Sequence, residues 1–489
     1  MKHNIKKLSI LAVTPLLLGL ASCGGDNPSP SGPVEVHFWH TFGSGAVAPA
    51  VQAAADKFAQ LVKENEGTEV KITLEYQGDY TTTREKIEKS FSAGTTPTIA
   101  VAYPDHVANY LALENNPGQF VYNLADYVND EKIGFTKQAF LGENSRQGAS
   151  DFIASFYDEG KQYAKEGIYS LPLYKSSEVM CYNEDALLRE MKFWKPEIVS
   201  GDALKDYMTT LSWVDFIALC KDILVHKETV LNTMDVPLYY DSDANFFISK
   251  ICQLEIPYAS IDSNGKGHID FETGAARTKA EELLTHIKGL YDDGVLRTKG
   301  TENKYGSDFF KNGKCLFTVG SSGGTGYSMP DGDAFKYNVC RVPSSSSNPE
   351  NTNLYVSQGP TITFLKNSSL SSAENDRRMH YAWMFAKYIT STNVNADLAL
   401  NHSEGYIPVR KSAFSTDLYN EWLENDVLVT KSADVLVNDI AGNYLNTKVF
   451  KGSAELREQV SGVIATICKQ SISVTDALGS AINVAKTFM

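Results

Sequence analysis

A run of glycines and serines in the second half of the chain has the spacing of a hydrolase nucleophile. Gly320–Gly324 reads G-x-S-x-G and follows a short apolar segment, Cys315–Val319. In that arrangement Ser322 sits on a sharp strand-to-helix turn, and Asp376 and His402 follow in the order that a catalytic triad requires. The sequence continues, however, with more glycines and hydroxyl residues instead of an apolar helix. We therefore favour a glycine loop that faces a cleft, and keep a hydrolase using Ser322 as the alternative.

Two other patterns of chemical interest are weaker. Gly43–Ala48 fits G-x-G-x-x-A, but no acidic residue ends a second strand about 20 residues later, as the ribose of a dinucleotide would require. The nine histidines form no H-E-x-x-H or comparable cluster, and His37 and His40 would point to opposite faces of a strand. The sequence therefore predicts no cofactor and no metal site.

Aromatic residues gather with small hydroxyl and acidic residues at predicted loops. Aromatic rings stack on the apolar face of a sugar, while Asp, Asn, Ser and backbone N–H groups bond its hydroxyls, so a carbohydrate cleft needs both kinds. This pattern favours a binding site for a polar small molecule. Five segments carry it: Trp39–Thr41, Gly78–Tyr80, Lys175–Glu178, Asp241–Asn245 and Gly405–Tyr406.

The elements that must position these loops alternate between strands and helices. Apolar residues recur at every second position in the predicted strands and at helical spacing in the segments between them. Such alternation predicts parallel α/β units. The predicted strands are 34–39, 70–76, 98–102 and 315–319, and the predicted helices are 46–63, 84–91, 105–113, 212–224, 275–292, 381–389 and 455–468.

The N-terminus predicts export and lipidation. Its lysines precede an apolar run, Leu8–Ala21, that is short of the roughly 20 residues of a bilayer span. Leu20–Cys23 resembles the bacterial lipobox, in which the Cys is diacylated and becomes the new N-terminus. Residues 1–22 are therefore predicted to be a lipoprotein signal peptide, and the Gly/Pro/Ser-rich residues 23–33 a flexible tether. Cys23 would anchor the protein to the outer face of a membrane.

Composition sets the class of protein. A chain of 489 residues with 43% hydrophobic content is long enough for two domains. A net charge of -14 argues against binding to nucleic acid, whose phosphates need a basic surface. The cysteines other than Cys23 are far apart and include no C-x-x-C pair, which excludes zinc-ribbon and thioredoxin motifs. We expect them to be buried thiols in preference to three disulfides.

In its short motifs the chain resembles the extracellular solute-binding proteins of ABC importers, in the group that contains maltose-binding and glycerol-3-phosphate-binding proteins. No single motif is specific, but their order is, and the similarity spans nearly the whole chain after the tether. The motifs are Val36–His40, Tyr76–Tyr80, Gly94–Thr98, Leu171–Ser177, Tyr182–Asp185, Leu211–Trp213, Phe309–Lys314, Ser321–Gly323 and Gly405–Arg410.

The resemblance implies a two-lobed α/β fold like that of periplasmic binding proteins, with the ligand in a cleft between hinged lobes. It implies chain crossings near Leu173, Phe310 and Gly359. The lobes would close on the ligand, and the closed shape would be read by the permease. The implied N-terminal lobe comprises residues 34–173 and 311–359, and the implied C-terminal lobe comprises residues 174–310 and 360–489.

The resemblance, which looks closest to the glycerol-3-phosphate binders, also implies ligand contacts. These are Tyr80, Ser176, Ser177, Ser321 or Ser322, Gly359 and Tyr406, and the family's acidic residue corresponds to Asp105. With the residues of the loop pattern, the predicted ligand-binding set is Trp39, His40, Tyr80, Asp105, Ser176, Ser177, Asp241, Asp243, Asn245, Ser321, Ser322, Gly359 and Tyr406.

Two positions depart from the family pattern. The family's acidic residue after the third strand's tyrosine falls in Tyr103–Asp105, so it is replaced or displaced by one residue. The arginine that would hold a phosphate is expected near residues 443–451 and has no clear counterpart, so Lys448 or Lys451 would have to replace it. Lysine matches a phosphate less well than arginine because it lacks the bidentate fork. A neutral sugar or oligosaccharide is therefore at least as consistent with the sequence as a glycerol phosphate.

These patterns together predict a non-enzymatic, monomeric receptor on the extracellular face of the bacterial membrane. It would pass a carbohydrate or glycerol-phosphate ligand to the membrane subunits of an ABC permease, with no nucleic-acid partner. Two alternatives stay open, the exported α/β hydrolase that uses Ser322 and a surface adhesin that binds glycans without transport.

Overall fold

The computed structural model describes residues 32–43, 45–141, 148–332, 334–345, 354–403, 405–440 and 442–489. Residues from Pro33 to Met489 form one compact unit. The predicted signal peptide, Cys23 and the predicted tether up to residue 31 lie outside the described residues. None of the helices in the described ranges is both long and apolar enough to cross a membrane.

The first sheet is built from the strands that the N-terminal alternation predicts. β1 (Val34–His40) pairs in parallel with β2 (Val70–Tyr76) and with β3 (Ile99–Ala102). β13 (Thr361–Phe364) runs antiparallel to β3, and β4 (Leu171–Pro172) runs antiparallel to β13. The strand order is β2-β1-β3-β13-β4, so the sheet is mixed, and only its first three strands have the expected parallel pairing.

The second sheet has the order β11-β5-β10-β6-β9. Its long central strand β5 (Glu178–Asn183) is buried along its whole length and runs antiparallel to both β10 (Phe317–Ser321) and β11 (Tyr337–Arg341). β6 (Leu238–Tyr240) and β9 (Leu296–Thr298) continue the sheet in parallel with β10.

Four short strands complete the set. β7 (Ala259–Ile261) and β8 (Gly267–Ile269) form an antiparallel hairpin. β12 (Tyr355–Val356) and β14 (Tyr444–Leu445) pair in parallel. The β12–β14 pair links the segment just before β13 to the segment just before α18.

Most of the long helices start where a side chain caps the first turn. Asp79 accepts a hydrogen bond from the Thr82 N–H, and Ser212 accepts one from the Asp215 N–H, which makes both residues N-caps. The α-helices are α1 (Val47–Glu66), α2 (Tyr80–Ala93), α3 (Pro104–Ala112), α4 (Ala125–Val128), α5 (Ala154–Asp158), α6 (Glu184–Trp194), α7 (Gly201–Thr210), α8 (Trp213–Val225), α9 (Lys227–Val230), α10 (Asp243–Gln253), α11 (Gly274–Asp292), α12 (Lys299–Glu302), α13 (Gly306–Phe310), α14 (Ser372–Ile389), α15 (Thr392–His402), α16 (Asp417–Leu423), α17 (Leu428–Asp434), α18 (Ser453–Lys469) and α19 (Val474–Lys486).

The two large sheets define two lobes. The N-terminal lobe is the first sheet with α1, α2, α3, α14 and α15, and the C-terminal lobe is the second sheet with α6 to α13 and α17 to α19. The chain passes to the C-terminal lobe between β4 and β5, returns between β11 and β13, and passes again between α15 and α17.

This pairing corrects the expected lobe boundaries. Residues 311–359 were expected in the N-terminal lobe, but β10 and β11 pair with β5 in the C-terminal lobe. Residues from 360 onwards were expected in the C-terminal lobe, but β13 pairs with β3 in the N-terminal lobe, and α14 packs on β1. No crossing occurs near Phe310. The apolar run Cys315–Val319 predicts the strand β10 but does not show which sheet that strand joins.

The expected burial of the cysteines is confirmed for four of them, whereas Cys252 and Cys468 are half-buried. Within the described residues all six are free thiols, and four of them are buried, namely Cys181, Cys220, Cys315 and Cys340. Each behaves as a small apolar side chain in its lobe.

Candidate functional site

Three segments meet where the chain passes between the lobes. We call residues 174–177, 356–359 and 405–407 the hinge crossing. Ser176 and Gln358 exchange backbone hydrogen bonds of 3.0 and 2.9 Å, and Lys175 and Ile407 exchange bonds of 3.0 and 2.7 Å. A short, hydrogen-bonded crossing of this kind fixes how loops from both lobes approach one another.

Two cavities border the hinge crossing, and Gln358 lines both. We call the first the arginine cavity; its wall includes Tyr103, Asp105, Tyr258 and Arg457. We call the second the serine cavity. Its wall includes Asp241, Ser321, Gly323 and Tyr406.

Four tyrosines form two ring pairs beside these cavities. Tyr80 stacks on Tyr103 with ring centres 4.1 Å apart, and Tyr174 meets Tyr406 edge-on at 5.0 Å. Burial, followed by the neighbouring tyrosines, raises the pKa of Tyr80 well above its usual value, and burial also raises the pKa of Tyr406. The hydroxyls therefore stay protonated and can both donate to and accept from a ligand, while the ring faces offer apolar surface.

Ser176 and Ser321 have a different environment from Ser177 and Ser322. Ser321, on the wall of the serine cavity, lies with its Oγ 3.2 Å from the Ser176 Oγ. Ser177 is fully buried and its hydroxyl donates to the Val356 carbonyl, 2.8 Å away. Its carbonyl accepts from the Ser322 N–H, also at 2.8 Å. Ser177 and Ser322 therefore hold the hinge crossing together, whereas Ser321 faces the cavity.

Among the predicted acids, Asp105 and Asp241 line the cavities. Asp241 accepts a bond of 2.5 Å from the Gly306 N–H, and burial raises its pKa to about 6. Asp243 has a different role, because it is buried and accepts from the Thr298 hydroxyl and the Gly300 N–H at 2.6 and 3.0 Å. It caps α12, so the expected ligand contact at Asp243 is not supported by its position.

A series of hydrogen-bonded, buried polar side chains lies next to the arginine cavity. Arg457 on α18 donates to the Asn245 side-chain oxygen, and the Asn245 amide donates to Glu178 at 3.0 Å. The Tyr240 hydroxyl donates to the other Glu178 oxygen at 2.5 Å. Burial raises the pKa of Glu178 to about 7. Among the described residues no carboxylate lies within ion-pair distance of Arg457, so its guanidinium keeps donors for a ligand.

Three buried polar atoms on these segments have no hydrogen-bond partner within the described residues. They are the Ser357 Oγ, the Gln358 Oε1 and the Asn446 Oδ1, and all three residues line the arginine cavity. A buried polar atom that stays unbonded costs about 1–3 kcal/mol, and native structures rarely keep several together without a reason. The arginine cavity therefore offers acceptors and one hydroxyl for bonds to a polar ligand.

An ion pair joins the lobes across the cleft. Arg84 on α2 bonds to Glu455 in the first turn of α18, with side chains 9% and 12% exposed. The Asn109 amide on α3 donates to both Glu455 oxygens at 3.2 and 3.3 Å, and its oxygen accepts from the Gly452 N–H at 3.1 Å. We call Arg84, Asn109 and Glu455 the clasp. It holds the start of α18, and with it Arg457, against the N-terminal lobe.

Two predicted residues of β1 lie away from both cavities. The Trp39 indole donates to Glu75 at 3.0 Å on one face of the sheet. His40, on the other face, is buried, stacks on Phe42 at 4.8 Å and accepts from the Phe42 N–H. Burial lowers the pKa of His40 to about 4, so the ring is neutral. Successive residues of a strand point to opposite faces, and neither face of β1 delivers these side chains to the cleft.

The residues of the hydrolase alternative do not come together. The Ser322 Oγ is buried without a partner among the described residues. Asp376, on α14 of the N-terminal lobe, accepts from the Tyr122 hydroxyl, and the His402 Nε2 lies 3.4 Å from Asp397. Ser322 instead begins a 3-10 helix, Ser322–Ser328, in the C-terminal lobe.

Gly359 supports the site without touching either cavity. Its φ is 95°, and a Cβ there would lie 2.7 Å from the Tyr174 carbonyl oxygen and 3.1 Å from the Tyr406 ring. A side chain would therefore strain the backbone and displace Tyr406. Gly359 acts through the position of Tyr406.

The structure brings part of the predicted set together. Of the predicted residues, Asp105, Asp241, Ser321 and Tyr406 line the cavities, and Tyr80, Ser176, Asn245 and Gly359 contact residues that do. Lys448 lines the arginine cavity as well, whereas Lys451 borders a separate pocket. Sequence reasoning missed Arg457, Tyr103 and Tyr258, and it left Glu178 out of the predicted set although Glu178 ends the Lys175–Glu178 segment.

Two of the missed residues carry a weak sequence signal. Arg457 lies in the second turn of a helix, where the helix dipole does not favour a cation. Glu178 opens an otherwise apolar strand. Among the described residues, neither cavity holds three His, Cys, Asp or Glu side chains close enough to share a metal.

The chain matches one family of known proteins. The sequence model of the family described as "Bacterial extracellular solute-binding protein" matches residues 53–429. No curated protein sequence matches the chain.

Solved structures match the fold over nearly the whole chain. The cyclic alpha-maltosyl-1,6-maltose binding protein from Arthrobacter globiformis is 18% identical, with 94% of this chain and 99% of that chain covered and a TM-score of 0.65. The sugar-binding protein MalE from Xanthomonas citri is 15% identical, with 93% and 97% covered and a TM-score of 0.65. UgpB from Mycobacterium tuberculosis, solved with glycerophosphocholine, is 15% identical, with 94% and 98% covered and a TM-score of 0.62. At these identities the likeness shows the fold, which is two-lobed and like that of periplasmic binding proteins.

Proposed function

This chain belongs to the bacterial extracellular solute-binding proteins, and we propose that it is a non-enzymatic receptor that captures a carbohydrate between its lobes for import by an ABC transporter. The family match spans strands and helices of both lobes. Relatives of the same fold are described as binding cyclic maltosyl-maltose, maltose and acarbose. These ligands are polyhydroxylated and neutral or weakly charged, which is the chemistry that we assign to the cleft.

The observation that carries this proposal is the wall of the arginine cavity. Ser357, Gln358 and Asn446, each with a side-chain oxygen that lacks a partner among the described residues, line the same cavity as Tyr103 and Tyr258. Ring faces that stack and polar atoms that bond hydroxyls are the two features that a sugar requires. Asp105 adds a carboxylate acceptor to this wall.

A second ligand class, a glycerol phosphodiester, is favoured by one observation. Arg457 presents a guanidinium without a carboxylate partner among the described residues, and Lys448 lies in the same cavity. Arginine binds phosphate oxygens through two parallel bonds. A relative of this fold was solved with glycerophosphocholine. We rank this class second because the cavity also contains Asp105, whose carboxylate would repel a phosphate.

The remaining parts of the proposal concern location and partners. We propose that Cys23 is lipidated and that residues 23–33 tether a monomeric receptor to the extracellular face of the cell membrane. The membrane subunits of an ABC permease would be its protein partners. A glycan-binding adhesin is the rival role, and uptake measurements separate the two, since a deletion strain that keeps normal uptake of the ligand would contradict the import role.

Thermal unfolding of the purified protein with a panel of compounds tests the ligand class. The panel contains glucose, maltose, maltotriose, glycerol 3-phosphate and glycerophosphocholine, each with wild-type protein and with Arg457→Gln. A ligand at 100 times its Kd stabilises the folded state by about 2.7 kcal/mol. We expect a neutral sugar to raise the Tm of both proteins. Stabilisation by phosphorylated compounds alone, lost in Arg457→Gln, would instead establish the second ligand class.

The same panel tests the hydrolase alternative. Each compound is incubated with wild-type protein and with Ser322→Ala, and products are measured by mass spectrometry. We expect every compound to be recovered intact from both proteins. Cleavage by wild type that disappears in Ser322→Ala would refute the receptor proposal.

A further inference from the structure

A second group of side chains with binding chemistry lies in the C-terminal lobe, outside both cavities. Glu190 projects from α6, and Asp222 and His226 lie four residues apart at the end of α8. One carboxylate oxygen from each acid and one ring nitrogen of the histidine all lie within 4.8 Å of one another. Neither the proposed transport function nor the cleft uses these residues.

The distances have the dimensions of a metal coordination shell. The His226 Nδ1 lies 3.3 Å from the Glu190 Oε2 and 3.4 Å from the Asp222 Oδ2. Zinc binds histidine nitrogen and carboxylate oxygen at about 2.0–2.2 Å in a tetrahedron. A tetrahedron with arms of that length has edges of about 3.3–3.6 Å, so the His226 nitrogen already lies at ligand spacing from both carboxylates.

The burial of Glu190 is an independent observation that points to a cation. Glu190 is 0% exposed, and its Oε2 has no hydrogen-bond partner among the described residues. In those residues no lysine or arginine forms an ion pair with it, since its one charged partner is His226. A buried carboxylate without a cation is strongly disfavoured.

The side chains of Asp222 and His226 are accessible to solvent, and the His226 ring is held in one orientation. His226 and Asp222 are 26% and 31% exposed, so a cation and a water ligand can reach them from solvent. The His226 ring stacks on Phe193 with centres 4.1 Å apart and planes inclined by 19°. A fixed ring holds the Nδ1 lone pair towards the two carboxylates, as ordered metal ligands require.

We propose that Glu190, Asp222 and His226 bind one divalent transition-metal cation, zinc in preference to calcium, with water as the fourth ligand. Two carboxylates and one imidazole are a donor set suited to zinc, whereas calcium takes six to eight oxygen ligands. The cation would join α6 to the end of α8 and neutralise Glu190. Its role would be structural, within one lobe.

Calorimetric titration of the purified, EDTA-treated protein tests the site. We expect one equivalent of zinc to bind to the wild-type protein, and calcium to bind more weakly. Glu190→Gln keeps the shape of the side chain but removes a charged ligand, so zinc affinity should fall at least about tenfold. His268→Asn is the matched control, because the His268 Nε2 lies 3.1 Å from Asp262 on the surface without a buried second carboxylate. This variant should bind zinc as the wild type does.

A second variant and a second measurement distinguish loss of the metal site from misfolding. Asp222→Asn changes a partly exposed ligand, and circular dichroism in EDTA should show both variants folded. Zinc should raise the Tm of the wild type and of His268→Asn but not of Glu190→Gln or Asp222→Asn. The proposal is overturned if zinc fails to bind stoichiometrically, if Glu190→Gln binds it undiminished, or if calcium binds more tightly than zinc.

Discussion

Glu178 shows how far one buried carboxyl group can depart from its ordinary chemistry. It lies at the start of β5, accepts from Tyr240 and Asn245, and has its pKa raised to about 7 by burial. Through Asn245 it also orients Arg457, the cation that faces the arginine cavity. Protonation of Glu178 and the position of Arg457 are therefore linked.

The pH dependence of stability should reveal this shift. Because the folded pKa of about 7 lies above the ordinary value of 4.5, Glu178 holds its proton in the folded protein but loses it in the unfolded chain between these values. Stability should therefore fall as pH rises from about 4.5 to about 7, by roughly 3 kcal/mol in total. Glu178→Gln should lack this component. Urea unfolding of both proteins from pH 4 to 8 measures it, and a constant difference in unfolding free energy across that range would contradict the assignment.

At single positions, the sequence predicted those ligand-facing residues whose side-chain type and place in a predicted loop indicate binding. Tyr80, Ser321, Asp241 and Tyr406 belong to short polar or aromatic runs, and the structure places them at or beside the cavities. Arg457 could not be found in that way, because it sits inside an amphipathic helix and reaches the cleft only through the packing of α18. Trp39 and His40 show the reverse error, since a conspicuous motif faces the interior of one lobe.

Among the elements, α18 has the most consequential position. It packs on α10, α11 and α12 of the C-terminal lobe and also touches α3 of the N-terminal lobe. Its first turn carries Glu455 of the clasp, and its second turn carries Arg457. A single helix thus couples contact between the lobes to the wall of the cavity.

Loss of the clasp should weaken ligand binding. Arg84→Gln removes a largely buried ion pair between the lobes, which favours separation of the lobes and lowers the apparent affinity in proportion to the binding-competent fraction. We expect the Kd of whichever panel compound binds to rise about tenfold, roughly 1.4 kcal/mol. The control is Arg378→Gln, since Arg378 pairs with Glu374 at 2.7 Å within α14 at similar exposure. Equal affinities of the two variants would show that the clasp is irrelevant to binding.

The limits of sequence reasoning at this scale are clear from the strands. The bounds of β1, β2 and β3 follow the predicted segments within about one residue, because alternation and turn residues are local signals. The sheet to which β10 or β13 belongs depends on partners more than 100 residues away. No local pattern encodes that choice.

For the molecule as a whole, the hinge crossing and the clasp define two places where the lobes are joined. The crossing is covalent and hydrogen-bonded, whereas the clasp is non-covalent and its bonds are made by the side chains of Arg84, Asn109 and Glu455. We expect a molecule joined in this way to open by rotation about the crossing once the clasp separates.

Small-angle scattering tests this motion. A compound that stabilises the protein in the thermal panel should lower the radius of gyration of Arg84→Gln towards that of the liganded wild type, because contacts with both lobes favour closure. The unliganded variant should be the more extended of the two proteins. Superimposable profiles of Arg84→Gln with and without a saturating stabilising compound would exclude closure as the response to binding.

The interleaved path of the chain also constrains how such a protein can evolve. Since the chain passes between the lobes three times, each lobe is assembled from separate stretches of the gene. A single recombination event between two related genes therefore exchanges portions of both lobes at once. New specificities would have to arise by substitutions along the cleft, because neither half can be inherited as an intact block.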